Sequence, residues 1–86
     1  MNKPIDPKTF GLHFSTKIEQ QDDTHFFIRI DRKSRIIMKD GEKILANAKK
    51  IKSTVPGAMV TVATTAPVCS KTRQFLADQG IGVVIR

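Results

Sequence analysis

The sequence predicts one α/β domain on the border of α+β, a single mixed sheet with the element order β-β-β-α-β-α-β. Three observations predict it. Apolar and polar residues alternate between residues 12 and 31, which is the period of a half-buried strand. Apolar residues then recur at helical spacing between residues 44 and 55. Two β-branched runs, 59–64 and 81–85, flank a second helical stretch. We expect an antiparallel meander in the first half and right-handed β-α-β crossovers in the second. The divisions are an extended arm at 1–10, the meander at 11–39 and the α-β-α-β part at 40–86, all in one domain.

The arm carries Pro4 and Pro7. The first strand follows, with Leu12, Phe14, Thr16 and Ile18 on one face and His13, Ser15, Lys17 and Glu19 on the other. A polar turn at 20–24 leads to a second strand, in which Phe26, Ile28 and Ile30 alternate with Phe27, Arg29 and Asp31. That turn sets Glu19 near His25 and Asp31 near His13, a cross-strand surface pair. Residues 36–38 are expected as a short third strand. Asp40 is a good N-cap, and Glu42 adds charge suited to a first helical turn. Ile44, Leu45, Ala48, Ile51 and Val55 form one apolar stripe, ended by Pro56-Gly57. After the strand at 59–64, Pro67 suits the first turn of a second helix, with Val68, Thr72, Phe75 and Leu76 facing inward. Gly80 is a natural C′ residue, and the run 81–85 is apolar enough for a buried parallel strand.

With 86 residues the chain has one thiol, Cys69, so an internal disulfide and a cysteine-based zinc cluster are both excluded. Residues 1–7 show no apolar core of a signal peptide, and no apolar run approaches the roughly 20 residues of a membrane span. A cytoplasmic location with no membrane partner is therefore expected. Fifteen Lys and Arg against eight Asp and Glu give a formal charge of +7, which favours polyanionic partners, nucleic acid first. Trp and Tyr are absent and Phe numbers five, which argues against single-strand binding by aromatic stacking. If both helices cover one face of the sheet, the other shows Phe27, Met38, Met59 and Ile36. An apolar area of that kind predicts a homo-oligomer.

Arg29, Arg32, Lys33 and Arg35, four bases within seven residues, are followed by Lys39. Together they suit phosphate contacts, each of which steepens the salt dependence of binding. The alternative reading is a solvated turn whose charges protect a sheet edge. A second group, Thr64, Thr65, Cys69, Ser70, Lys71, Thr72 and Arg73, follows a parallel strand and opens a helix. Ligands gather at such strand ends, and a helix N-terminus suits a phosphate. Lys71 and Arg73 are its phosphate-binding candidates. Neither a Walker loop nor a Rossmann fingerprint is present, so no cofactor is expected. Cys69, with Arg73 only four residues on, makes no Cys-x₅-Arg phosphatase loop. We read it as a buried structural thiol, at a position where a helix can lower a thiol pKa. Lys43, Lys49, Lys50 and Lys52, on or beside the outer face of the first helix, are a third candidate surface.

The stretch "FFIRIDRK…ILANAKKI…AMVTVATTAPVCSKTRQFLADQGIGVV" covers about two-thirds of the chain and resembles the second half of the Mrr-type restriction-endonuclease-like domain. That resemblance implies an acid-x-Lys signature in Asp31 and Lys33, the acid on a metal and the Lys beside the attacked phosphate. The chain departs from the pattern. The family's second acid lies close to the first, whereas the expected hairpin separates Glu19 from Asp31 by roughly 20 Å. The helix that usually precedes the hairpin is missing, and no metal site is expected. The reading is therefore a nucleic-acid-binding protein that contacts phosphates through Arg29, Arg32, Lys33, Arg35, Lys71 and Arg73. Two alternatives stand beside it, a metal-dependent nuclease subunit using Asp31 and Lys33 and a homo-oligomeric interaction protein.

Overall fold

The computed structural model describes residues 3–14 and 16–85. Met1 and Asn2 of the expected arm, Ser15 of the expected first strand, and Arg86 lie outside the described residues. Five strands form one mixed sheet in the spatial order β1-β2-β3-β4-β5. These are β1 (Lys3–Ile5), β2 (Lys17–Gln20), β3 (His25–Ile30), β4 (Met59–Thr64) and β5 (Gly82–Ile85), with α1 (Met38–Thr54) after β3 and α2 (Ser70–Asp78) after β4. The first three strands pair antiparallel, and β3-β4 and β4-β5 pair parallel. The predicted order β-β-β-α-β-α-β is thus observed.

Which segments supply the first three strands differs from the expectation. The arm contributes β1 and then a 3₁₀ turn at Pro7–Phe10, so it is part of the sheet. The chain leaves that turn through Gly11 in the left-handed region (φ 71). Leu12 drops into the core while Phe14 stays 74 % exposed, so the alternation at 12–18 is only partly a strand. Residues 36–38 form no strand either. Ile36 makes one isolated parallel bridge to Val68, and Met38 already belongs to α1.

The hairpin register differs by two residues. Glu19 faces Phe27 and Lys17 faces Arg29. A shift of two keeps every side chain on its predicted face. Its cause is a shorter turn, in which Gln21 N–H donates to His25 O at 2.9 Å. The Asp22 carboxylate accepts the N–H groups of Thr24 and His25, each at 2.9 Å, and touches the His25 ring at 2.7 Å.

The helical stripe packs as predicted. Ile44, Ala48 and Ile51 are buried, with Leu45 and Val55 against them. They meet Ile18, Phe26, Ile28, Val60 and Val62 from one sheet face, and Phe10 meets Phe26 edge-on at 5.5 Å. Both helices lie on this face, because α1 packs directly on α2. A Cβ at Gly41 would come within 2.9 Å of the Thr72 methyl, so the crossing needs glycine there. Gly80, at φ 74, ends α2 as expected. The helix starts differ. α1 begins two residues before Asp40, which sits at N3 and accepts the Ile37 N–H from inside the helix at 3.0 Å. Pro67 precedes α2 and is not in its first turn.

The open face differs from the expectation in two places. Ile36 is fully buried, and Met38 lies on α1. Register places Phe27, Arg29, Met59, Thr61, Ala63 and Val84 on that face.

The bonds at Asp22 carry a pH prediction. The Thr24 N–H, and next the His25 ring, lower its pKa from 3.8 to about 2. A folded-state pKa below the unfolded one adds stability above pH 3.8 that is lost as the pH falls towards 2. Asp22→Asn is expected to flatten the fall in Tm between about pH 5 and about pH 2, followed by circular dichroism.

Candidate nucleic-acid interface

The loops at 31–37 and 65–69 leave β3 and β4 at the same end of the sheet. They are sewn together there. The Thr64 hydroxyl donates to Ile30 O at 2.7 Å and accepts the Ala66 N–H at 3.0 Å. Thr65 N–H donates to Ile30 O at 3.3 Å, and the Thr65 hydroxyl lies 3.4 Å from Arg32 O. Further out, Ile36 N–H donates to Pro67 O and Cys69 N–H donates to Ile36 O, both at 2.9 Å. This seam joins the two cationic groups that are separate in sequence, and it sets them beside the N-termini of both helices. Thr64 and Thr65, candidates by sequence, serve the seam.

The seam sorts the predicted phosphate ligands into two kinds. Arg32 is turned inward. Its Nη2 meets Asp40 Oδ2 at 2.5 Å and Arg35 O at 3.1 Å, and its Nε meets Ser34 O at 3.2 Å. Arg29 lies on the open face, with Nη1 on Glu19 at 3.1 Å and Nη2 on Asp31 at 3.3 Å. Asp31, then Glu19, raise its pKa. Arg32, and after it the Ile37 N–H, hold the Asp40 carboxyl below its ordinary value. Both arginines are therefore committed to acids of their own chain. Lys33, Arg35, Lys39, Lys71 and Arg73 are exposed and appear in no ion pair among the described residues. Asp31 and Asp40 are neutralised locally by Arg29 and Arg32.

The expected distance between Glu19 and Asp31 is overturned. The two carboxylates flank one guanidinium, that of Arg29, and do not lie roughly 20 Å apart. The two-residue register shift makes Glu19 diagonal to Arg29, and Asp31 lies just past the end of β3. Arg29 occupies the position between the acids. Among the described residues, no group of three or more His, Cys, Asp and Glu side chains is placed to hold a metal ion. His13 does not stand across from Asp31 in a strand. β2 begins at Lys17, and the His13 ring lies on Phe14 with centroids 4.4 Å apart.

One further base, Lys17, was not among the sequence candidates. Lys17 and Lys43 line a surface cleft of about 280 Å³ with Arg29, Arg32, Asp40 and Asn47. The pairing of Lys17 with Arg29 was the available signal, hidden by the register error. Lys49, Lys50 and Lys52 lie in the C-terminal half of α1, and Lys52, in its last turn, suits the helix dipole. Lys50 Nζ reaches Gly11 O at 3.4 Å. Cys69 is only partly buried, as N-cap of α2. The Lys71 N–H, then that of Thr72, lower its thiol pKa, against an opposing effect of burial.

No helix among the described residues is long and apolar enough to cross a membrane. Compared with family models, curated proteins and solved structures, the chain matches none.

The seam makes the Thr64 hydroxyl a stability determinant. Thr64→Val keeps the side-chain shape but leaves Ile30 O and Ala66 N–H without this partner. A loss of about 1–3 kcal/mol in urea unfolding is expected.

Proposed function

We propose that this protein binds nucleic acid through phosphate contacts made by the edge at which α1 and α2 begin. One observation carries the reading: the seam gathers Lys33, Arg35, Lys71 and Arg73 on one edge whose acids are largely neutralised from within. Two adjoining helix N-termini add to the positive field there. Phosphate contacts position a protein without reading sequence, so these contacts by themselves select neither DNA nor RNA. Arg29 and Arg32 hold the framework in this reading, and Lys39 joins the contact set.

Fluorescence anisotropy with labelled duplex DNA and RNA across a salt series tests it. Affinity is expected to fall steeply with salt. Each of Lys33→Ala, Arg35→Ala, Lys71→Ala and Arg73→Ala is expected to reduce the log–log salt slope by about 1. Arg32→Ala is expected to lower thermal stability more than it changes that slope. An absence of salt-sensitive binding at low ionic strength would leave the interaction-protein alternative. Divalent-metal-dependent cleavage abolished by Asp31→Asn would establish the nuclease alternative.

A second part of the proposal is a homodimer joined along β5. The β1 edge carries Lys3 and Pro4, which discourage further pairing, whereas the described residues of β5 are Gly82, Val83, Val84 and Ile85. Val84 and Ile85 are exposed, and Met59 lies exposed on the neighbouring strand. Light scattering after gel filtration is expected to give a dimer mass that Val84→Lys returns to that of a monomer.

A further inference from the structure

β2 begins at Lys17, which faces Arg29, so β3 runs on to Ile30 without a register partner on β2. The apolar ground between Ile30 and α1 is therefore left partly open at this corner of the sheet. On α1 the polar side chains at the corner are Asp40, Lys43 and Asn47, at the spacing of one helix face. None of them is apolar enough to close it. What results is the surface cleft of about 280 Å³, with Ile28, Ile30 and Ile44 as its floor. That is close to the lower bound of the roughly 300–1,000 Å³ usual for small-molecule sites.

The polar groups around the floor fall into two sets. Those of the first set are already paired. Arg29 faces Glu19 and Asp31, and Arg32 holds Asp40, the one acid among the lining residues. Those of the second set are not. Lys17 and Lys43 are exposed and in no ion pair among the described residues. The Asn47 amide and the Thr16 hydroxyl, both on half-buried residues, make no hydrogen bond among the described residues. These four come from two segments, 16–17 and 43–47, that meet only through the packing of α1 on the sheet. A few convergent polar groups around an apolar floor are what a small-ligand site requires.

The charges select the ligand. Lys43 stands close enough to Asp40 to lower its pKa, but the ion pair of that carboxylate is with Arg32. Lys17 also borders a neighbouring hollow that contains Glu19 and Asp31, and both of those acids face Arg29. An anion entering the cleft thus meets one uncommitted ammonium from the sheet and one from the helix. Lysine binds phosphate as a point charge. A phosphate monoester carries roughly −1.5 to −2 at neutral pH, enough for both lysines. The isoleucine floor gives apolar contact to an organic part, which a bare phosphate lacks. Asn47 offers that part a donor and an acceptor in one plane.

We propose that this cleft binds a small organic phosphate monoester, its phosphoryl group between Lys17 and Lys43 and its organic part on the floor of Ile28, Ile30 and Ile44. The cations assigned above to nucleic acid, Lys33, Arg35, Lys71 and Arg73, do not line the cleft, so the two readings stand or fall separately.

The full chain is titrated at low salt with inorganic phosphate, phenyl phosphate, adenosine monophosphate and uncharged adenosine, followed by two-dimensional amide NMR. Both monoesters are expected to give saturable shifts centred on Thr16, Lys17, Ile30, Lys43 and Asn47. Each is expected to bind about 10-fold more tightly than inorganic phosphate, and adenosine monophosphate about 10-fold more tightly than adenosine. Lys17→Gln and Lys43→Gln should each weaken both monoesters about 10-fold. The remote Lys50→Gln, with the same change of charge, should leave them unaltered, as should Arg35→Ala. Inorganic phosphate binding as tightly as phenyl phosphate, an equal effect of Lys50→Gln, shifts centred on Lys33, Arg35 and Lys71, or no saturable binding of either monoester at millimolar concentration would overturn the proposal.

Discussion

A single buried hydroxyl decides how the chain leaves the sheet. Thr64 Oγ1 donates to the last carbonyl of β3 and accepts an amide just past β4, so both strand exits are tied at one point. The bridge between Ile36 and Val68 repeats the tie a few residues further out. Unpaired polar backbone next to a core is costly, so these bonds are as binding a constraint as the apolar packing beside them. The start of α1, the start of α2 and the gathering of the cations follow from where the two loops are fastened. Ile36 secures the seam from below, buried without residual exposure.

Electrostatics act on this frame in two ways. Arg32 and Arg29 are planar multi-donor groups, and each holds several acceptors of its own chain at once. They shape the loop and the open face, and they neutralise Asp40, Asp31 and Glu19 in doing so. Lys33, Lys39 and Lys71 are flexible point charges with no such partner among the described residues, and Arg35 and Arg73 stand exposed beside them. The basic character of the chain is therefore divided between internal pairing and outward display. Composition alone, at +7, does not separate the two.

Much of the fold was legible in the residues. The stripe from Ile44 to Val55 reads as a helix because its spacing admits no other face, and it is the buried face of α1. The alternation at 26–30 and the run at 59–64 give strands whose inward and outward residues are those observed. The first strand was less legible. Leu12, Phe14, Thr16 and Ile18 have strand period, yet Gly11 turns the chain so that Leu12 packs from a loop and Phe14 projects outward. Ile36 is as apolar as a strand residue, but it is buried as a single bridge between loops. The cation groups were legible as two clusters, and their union was not, because no local signal records a bridge to Val68 more than thirty residues away.

Local pattern by itself determined the element order, the helical faces, the stop at Gly80, and the surplus of positive charge. These properties depend on residues a few positions apart, where spacing and backbone preference act directly. Tertiary structure alone decided the hairpin register, the capture of Arg29 and Arg32 by acids, and the closeness of Glu19 to Asp31. Each of these depends on which of several compatible pairings buries polar groups with partners, and that comparison exists only once the strands and helices are packed.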